Sequence, residues 1–211
     1  MYHSIEIIEE ARETSLLSLH DAKLGLNMTG ASQFTDDQIE LMVEWASNEL
    51  ATMCNRVFAR ETLIETVLEL DGGKIFLSHY PVKEIIELNE NGTILVPGTD
   101  YNLDKNTGIL KRMSGTLWSV PVSIKYTGGY DLPNRAPPEL ASACVLLTRE
   151  TYHAALRGDA SIRMISHKGN RVMYFDPNAA NKSSGGSMTT AGTPAKRAVQ
   201  DLVKSFTRFV V

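Results

Sequence analysis

The fold is constrained most by a change in hydrophobic periodicity near position 60 of this 211-residue chain. Over residues 36–57, apolar side chains recur every three or four positions, which predicts a helix with one apolar face. Residues 61–130 instead hold short runs rich in β-formers between turn residues, which predicts an antiparallel module of five to seven strands. A second long striped helix is predicted over residues 138–157. We therefore expect an α+β fold, in which a small helical core carries an inserted antiparallel β-module. The first stripe consists of Ile39, Met42, Val43, Ala46, Leu50, Met53 and Val57.

Residues 126–140, YTGGYDLPNRAPPEL, join the β-module to the second long helix. The Gly128-Gly129 pair raises the question of a phosphate-binding or catalytic turn. The chain contains none of the G-x-G, GxxxxGK[ST] or G-x-S-x-G patterns that such turns use. Pro138 suits the first position of a helix, and Glu139 suits its first turn. We interpret the segment as a joint, in which the glycines let the last strand turn and the prolines start the helix.

Capping patterns predict where the helices upstream begin. The box Ser18-x-x-Asp21 predicts a short helix over residues 19–26, and a second box, T-x-x-Q, precedes the helix over residues 36–57. The first structured stretch is therefore expected near position 18, and residues 1–16 are interpreted as an N-terminal arm.

The chain has an extended C-terminal tail of different composition. Residues 177–193 are rich in Gly, Ser, Thr and Asn, which is typical of a flexible linker, and a helix is predicted over residues 194–211. Its apolar face has the spacing of a helix laid into a partner's groove, and so short a helix is expected to be disordered until docked. The alternative is that the segment folds back on its own domain. The apolar face consists of Val199, Leu202, Val203, Phe206 and Phe209; the charged residues, with a balance of +3, are Lys196, Arg197, Lys204 and Arg208 against Asp201.

The charge of the chain argues against general binding to DNA. The net charge is -4, and the basic tail leaves -7 for residues 1–192, whereas attraction to phosphates needs a basic face. No apolar run approaches the ~20 residues of a membrane span. Cys54 and Cys144 form no C-x-x-C pair, so we expect two buried thiols in a cytoplasmic protein.

No pattern in the sequence predicts a catalytic residue, a metal site or a cofactor. The stretch DYNLDKNTG alternates side-chain oxygens as a calcium loop does, but Lys105 and Lys111 stand where that pattern needs Gly and Glu, so a hairpin is expected. The five histidines never fall at metal-ligand spacing. The alternative from a different class is a small enzyme, with Asp131, His79 or His167 in a pocket of the β-module.

Several segments, taken in order, resemble one protein family. LSLHDAKLGL, a loop, and TDDQIELMVEWASNELATMCNR resemble the opening of the head–tail connector (adaptor, or head-completion) family of tailed bacteriophages. FLSHYPVKEIIEL, DYNLDKNTGILKR and LWSVPVSIKYTGGYDLPNRAPPELASACVLL then follow the family's order. That order is an apolar-Pro-Val strand, a Y-x-L-D-x-x-x-G-x-L hairpin, a Trp, a strand ending in Y-x-G-G-Y, and a Pro-initiated helix. The resemblance covers residues 17–176, which it identifies as an adaptor domain.

The resemblance implies a structural virion protein of the neck that is assembled in the host cytoplasm and is not an enzyme. It implies a dodecameric ring that binds the portal protein on one side and a stopper (head-closure) or tail protein on the other. DNA would pass through the lumen without sequence-specific binding. The C-terminal helix would then dock on the portal. The alternative within the neck is the stopper itself, which the two long helices disfavour because stoppers are mostly β.

Overall fold

The computed structural model describes residues 2–28, 33–70, 72–157, 162–167, 170–175 and 194–208. Its helices and antiparallel sheets confirm the predicted α+β class. The chain divides into two compact units. We call Met1–Ser15, Ala51–Ala136 and Thr207–Val211 the β unit, and Leu16–Leu50 and Pro137–Phe206 the helical unit. The predicted linker, residues 177–193, lies outside the described residues.

The β unit holds two antiparallel sheets. Its described strands are β1 (Tyr2–Glu9), β2 (Glu61–Glu69), β3 (Lys74–Phe76), β4 (Val82–Glu90), β5 (Thr93–Ile94), β6 (Tyr101–Asp104), β7 (Ile109–Arg112) and β8 (Val122–Gly128). A five-stranded sheet has the order β1-β2-β8-β4-β5, and a three-stranded sheet has the order β3-β7-β6. Within this unit, the described strands other than β1 all fall within residues 61–130, the region predicted as the β-module.

One apolar cluster draws its side chains from both sheets. On β8, Val122, Ile124 and Tyr126 have no exposed surface, because alternate residues of a strand point to the same face. On the neighbouring β2, Leu63 and Val67 point to the same side and are equally buried. The other members of the cluster are Ile75, Leu77, Val82, Leu88, Leu95, Tyr101, Leu110 and Trp118.

The joint after β8 depends on its two glycines. A Cβ atom on Gly128 would lie 2.2 Å from the carbonyl oxygen of His79. A Cβ atom on Gly129, whose φ is +101°, would lie 2.2 Å from the carbonyl oxygen of Ala59. Only residues without a side chain allow two backbone segments to approach this closely. The pair is a structural joint, as the sequence predicts.

The helical unit contains α1 (Leu19–Gly25), most of α2 (Asp36–Cys54), α3 (Pro138–Arg157) and α4 (Pro194–Val203), with a 3-10 turn at Lys204–Phe206. It also contains an antiparallel hairpin of β9 (Ile162–His167) and β10 (Asn170–Phe175). Among the described helices, none has the length and apolar content needed to cross a bilayer.

Helices α2 and α3 pack together, which confirms the predicted helical core. The Ser47 hydroxyl on α2 lies 3.6 Å from the Cys144 sulfur on α3 and accepts the backbone N–H of Leu16 at 2.9 Å. Both cysteines of the chain are buried thiols, as expected. The buried residues of the two helices in this unit include Ile39, Met42, Val43, Ala46, Leu50, Leu140, Ala143, Cys144 and Leu147.

The N-terminal arm differs from the prediction. The sequence predicts no structured element before position 18, but Tyr2–Glu9 forms β1, an edge strand that pairs antiparallel with β2. The pairing joins residues far apart in the chain, for example Ile5 with Glu65. The strand therefore depends on a distant partner, and neither local capping nor turn signals reveal it.

Helix α2 ends at Cys54, before the predicted end at position 57. Asn55 adopts the left-handed conformation with φ of 51°, and its N–H donates to the carbonyl of Thr52. The N–H of Arg56 donates to the carbonyl of Ala51. These two bonds are the Schellman pattern, in which an Asn takes the place of the usual Gly. The apolar residue at position 57 suggested a longer helix, but the Asn ends it.

Candidate functional site

The C-terminal helix α4 lies against α3 of its own chain. Of its predicted docking face, Val199 and Val203 are buried, with 0% and 3% of their surface exposed. Leu202 and Phe206 are partly buried, and Phe209 lies outside the described residues. The structure therefore has the alternative that the sequence left open, in which the segment folds back. The expectation of a segment disordered until docked is wrong for residues 194–208, because α3 supplies the apolar surface that an isolated helix lacks.

The predicted basic residues of the segment have different surroundings. Lys196 pairs with Glu49 of α2 at 3.2 Å, whereas Arg197 and Lys204 are exposed. The backbone N–H of Arg208 donates to the carbonyl of Cys54 at 2.8 Å. The structure does not bring these four cations together in one site. Their role in docking to a portal stays a prediction.

The candidate catalytic residues do not form a site. His79 is buried, and its Nε2 atom lies 3.1 Å from Oε2 of Glu61. Burial lowers the pKa of His79, although the nearby carboxylates of Glu61 and Glu65 oppose this effect. Asp131 instead lines an open groove, where its carboxylate lies 3.8 Å from Arg60. His167 lies on β9, where only the backbone is described.

His79 belongs to a buried polar network around Glu65, a residue with no exposed surface. The carboxylate of Glu65 accepts the N–H of Ser78 at 2.9 Å and its hydroxyl at 2.8 Å. It also accepts the hydroxyl of Tyr126 at 2.8 Å, and that hydroxyl accepts the N–H of His79 at 3.0 Å. Burial and the charge of Glu65 raise the pKa of Tyr126. His3 of β1, whose side chain is 25% exposed, reaches the network with its Nε2 atom 3.5 Å from the Ser78 hydroxyl and 3.8 Å from Glu65. The other members are enclosed, so the network fixes the segment after β3 and leaves a substrate little surface to contact.

Arg56 forms a second internal cluster in the β unit. Its guanidinium carbon lies 3.6 Å from the centroid of the Tyr80 ring and 5.1 Å from that of Phe58, and it donates to the carbonyl of Tyr80. Burial lowers the pKa of this arginine. A cation held over aromatic faces in this way stabilises the protein and has a structural role.

The calcium-like stretch is a hairpin, as the sequence predicts. It contains β6 and β7, and the side chain of Asp104 accepts the N–H of Asn106 at 3.1 Å across the turn. Asp100 accepts the N–H of Val96 at 2.8 Å. These acids therefore bond to the backbone around them. In the described part of the chain, no group of three or more His, Cys, Asp or Glu residues could hold a metal ion.

An open groove of about 500 Å³ lies on the face of the five-stranded sheet that points away from the apolar cluster. The hydroxyls of Thr62 and Thr127, which are 3.1 Å apart, form part of its floor. Charges of both signs surround them. Since neither sign dominates, the groove has no evident preference for an anion or a cation. The charged lining residues include Glu9, Arg12, Arg60, Lys83, Lys125 and Asp131.

Two surfaces of the β unit carry exposed apolar side chains that the sequence analysis did not single out. On β1, Ile5, Ile7 and Ile8 are 41%, 47% and 44% exposed. Beside the three-stranded sheet, Met113 and Leu117 are 56% and 70% exposed. A sequence signal existed in the run IEII near the N-terminus, but without a known pairing partner it could not be assigned to a face.

Comparison with known proteins gives a fold likeness. No family model and no curated protein matches the chain. A chain in the neck of an empty gene transfer agent (GTA) particle, computed with C6 symmetry, is 14% identical, with a TM-score of 0.60 over 99% of this chain and 97% of that chain. A chain in the virion of a native GTA particle is 14% identical, with a TM-score of 0.61 over 98% and 96%. A chain in the neck of a native GTA particle, computed with C12 symmetry, is 15% identical, with a TM-score of 0.56 over 99% and 97%. The chain thus shares, over almost its whole length, the fold of a protein found in these phage-like particles.

Proposed function

We propose that this protein is a structural component of the neck of a phage or phage-like particle, in which it forms a ring. The observation that carries the proposal is the shared fold, which extends over nearly the full length of both chains in necks computed with C6 and C12 symmetry. A ring needs head-to-tail contacts that close on themselves. The protein would act in the virion by joining parts and would catalyse no reaction.

Within the neck, we propose the adaptor position, between the portal protein and a stopper or tail protein. Two observations favour it over the stopper position. The order of motifs over residues 17–176 resembles the head–tail connector family, and α2 and α3 are long helices of 19 and 20 residues. A negative channel wall would let DNA pass, since the chain outside its basic tail carries -7.

We also propose that the C-terminal segment contacts the portal. Because Val199 and Val203 are buried against the chain itself, the contact is assigned to the exposed side of the segment, where Arg197 and Lys204 lie. Cations at the rim of an interface favour an acidic partner surface and make binding sensitive to salt.

Ring formation is tested by measuring the oligomeric state of the protein. Purified full-length protein, alone and mixed with the portal protein of the same particle, is imaged by negative stain and weighed by light scattering. The expected result is a closed ring of uniform subunit number, alone at high concentration or on the portal. A protein that stays monomeric under both conditions contradicts the proposal. As a control for the adaptor position, the ring is expected to bind portal in the absence of any stopper.

A further inference from the structure

Strand β1 is an unusually exposed edge. It pairs with β2 along one side, and among the described residues no strand pairs with its other side. From Ser4 onwards all of its side chains are exposed. Ile5 and Ile7 lie opposite Glu65 and Leu63, hence on the face of the sheet that carries the apolar cluster. A long edge with exposed apolar side chains tends to bind another chain.

The same strand is acidic. Glu6 and Glu9 alternate with the isoleucines of β1, and Glu10 follows directly. We call Ile5, Glu6, Ile7, Ile8 and Glu9 the acidic strand. Glu9 accepts the hydroxyl of Thr62 at 3.2 Å, so Glu6 is the strand's carboxylate best placed for a contact outside the subunit.

The outer face of the three-stranded sheet has the opposite character. Lys74 of β3 lies directly opposite Lys111 of β7, and both are exposed. Like charges directly opposite on neighbouring strands repel each other, so an acidic partner would relieve an unfavourable contact. Asp104, on the neighbouring rung of this face, bonds to the turn and also attracts Lys111, so it offsets part of this repulsion.

Apolar side chains lie among these lysines. Phe76, the strand neighbour of Lys74 on this face, is 42% exposed. Leu117 lies beside Gly73, where a Cβ atom would be 4.0 Å from its Cδ2 atom, and Met113, which directly follows β7, is 56% exposed. We call Lys74, Phe76, Lys111, Met113 and Leu117 the basic face.

We propose that the acidic strand of one subunit binds the basic face of the next copy of the same chain. Glu6 lies opposite Ile64 and so points to the other face of the strand from Ile5 and Ile7; the contact is therefore assigned to the free edge of β1, from which side chains of both faces can be reached. Along this edge the two surfaces complement each other in charge, and each offers apolar side chains to cover those of the other. They are different surfaces, so the contact is head-to-tail, as a ring requires. This inference rests on the proposed ring-forming function and assigns residues to its contact.

A charge exchange tests the pairing. Glu6→Lys and Lys74→Glu are each expected to raise the protein concentration needed for half-assembly about tenfold, equivalent to about 1.4 kcal/mol. The combination of both substitutions in one chain is expected to restore assembly to within about threefold. Assembly is followed by light scattering at low and high salt, since salt screens such contacts.

Matched charge changes elsewhere provide the control. Arg135→Glu in the loop before α3 and Glu40→Lys on α2 change exposed positions and are expected to leave assembly unchanged. Unchanged assembly of Glu6→Lys and of Lys74→Glu overturns the proposal. Disruption by Arg135→Glu, with Glu6→Lys and Lys74→Glu having no effect, would assign the contact to the loop before α3 and would also overturn the proposal.

Disulfide trapping tests which surfaces meet. The native thiols are buried, so introduced cysteines are the reactive ones. A chain with both Ile7→Cys and Leu117→Cys is expected to give a ladder of oligomers on oxidation, while each single variant gives none. Dimers from Ile7→Cys alone would reveal a symmetric β1–β1 contact, and the absence of a ladder would exclude the proposed one.

The ring and this particular contact can be contradicted separately. If wild-type protein forms rings while the Glu6, Lys74 and cysteine variants behave as controls, the ring stands and this contact is wrong. If the cysteine ladder forms but only open chains appear, the contact stands and the proposed ring is wrong.

Discussion

At the scale of single residues, the polar groups of the β unit are used inside the fold. Glu65 is fully buried and receives hydrogen bonds from Ser78 and Tyr126. His79 pairs with Glu61 in the same region. A histidine and a carboxylate near one another invite a catalytic interpretation, but catalysis needs a reacting group within reach of a substrate. Because these side chains are buried, they contribute to the stability of the fold, and the size of that contribution depends on their protonation.

The pH dependence of stability is expected to report on His79. Burial lowers its pKa in the folded protein below the ordinary value of about 6.5. In acid the unfolded chain therefore binds a proton more readily than the folded one. The contribution of neutral His79 is fully present above about pH 6.5, and it is lost as the pH falls through the lowered pKa. Denaturant unfolding measured from pH 8 to about pH 5 checks this.

The matched variant for that experiment is His79→Gln, which keeps a polar side chain but does not titrate. Its stability is expected to be lower at neutral pH and to fall less steeply between about pH 6.5 and pH 5. An identical slope in the wild type and the variant would show that His79 does not titrate on unfolding in this range.

At the scale of elements, the sequence predicted those parts that local signals determine. The stripe that includes Ile39, Met42 and Leu50 specified α2, since its period matches a helix whatever the helix packs on. Strand β1 was missed because its partner β2 is distant in the chain. The face of α4 was recognised, but an amphipathic stripe has the same spacing whether its partner is another protein or α3. Periodicity therefore identifies an apolar face without identifying what covers it.

Truncation of the helical core is expected to be costly. Leu50 and Leu147 are 0% and 1% exposed, so Leu50→Ala or Leu147→Ala is expected to lower the free energy of unfolding by roughly 2–5 kcal/mol, since each leaves a cavity. Leu156→Ala on the same helix as Leu147 is the control, because that side chain is 38% exposed. Denaturant unfolding of the three variants checks this. Equal losses at Leu147 and Leu156 would contradict the assignment of the buried face.

At the scale of the whole molecule, assembly depends on surfaces that a monomer leaves uncovered. The exposed isoleucines of β1 and the adjacent lysines at positions 74 and 111 are unfavourable features of an isolated subunit. A ring would repeat each contact around its circumference, and simultaneous attachment to the proposed portal partner would raise the total affinity beyond that of one subunit. Weak individual contacts would therefore be sufficient for the proposed ring, and they would let subunits exchange until it closes.

The C-terminal segment is expected to separate stability from portal binding by its two sides. Val199→Asp places an unpaired carboxylate where the side chain is 0% exposed, so it is expected to destabilise the free protein by at least about 2 kcal/mol. Arg197→Glu combined with Lys204→Glu changes exposed positions, so it is expected to alter stability by no more than about 0.5 kcal/mol. The double variant is nevertheless expected to weaken binding to the portal protein, most clearly at low salt.

Thermal or denaturant unfolding of the free protein and co-sedimentation with portal rings measure these two quantities separately. Hydrogen exchange adds an independent check, because residues 195–203 are expected to be protected in the free protein if α4 packs on α3. Rapid exchange there, together with a stable Val199→Asp variant, would mean that the helix forms only on its partner. Normal portal binding by the charge-reversed variant would instead show that the exposed side of the segment does not contact the portal. Since the first outcome concerns the free subunit and the second the assembled neck, each part of the prediction can fail without the other.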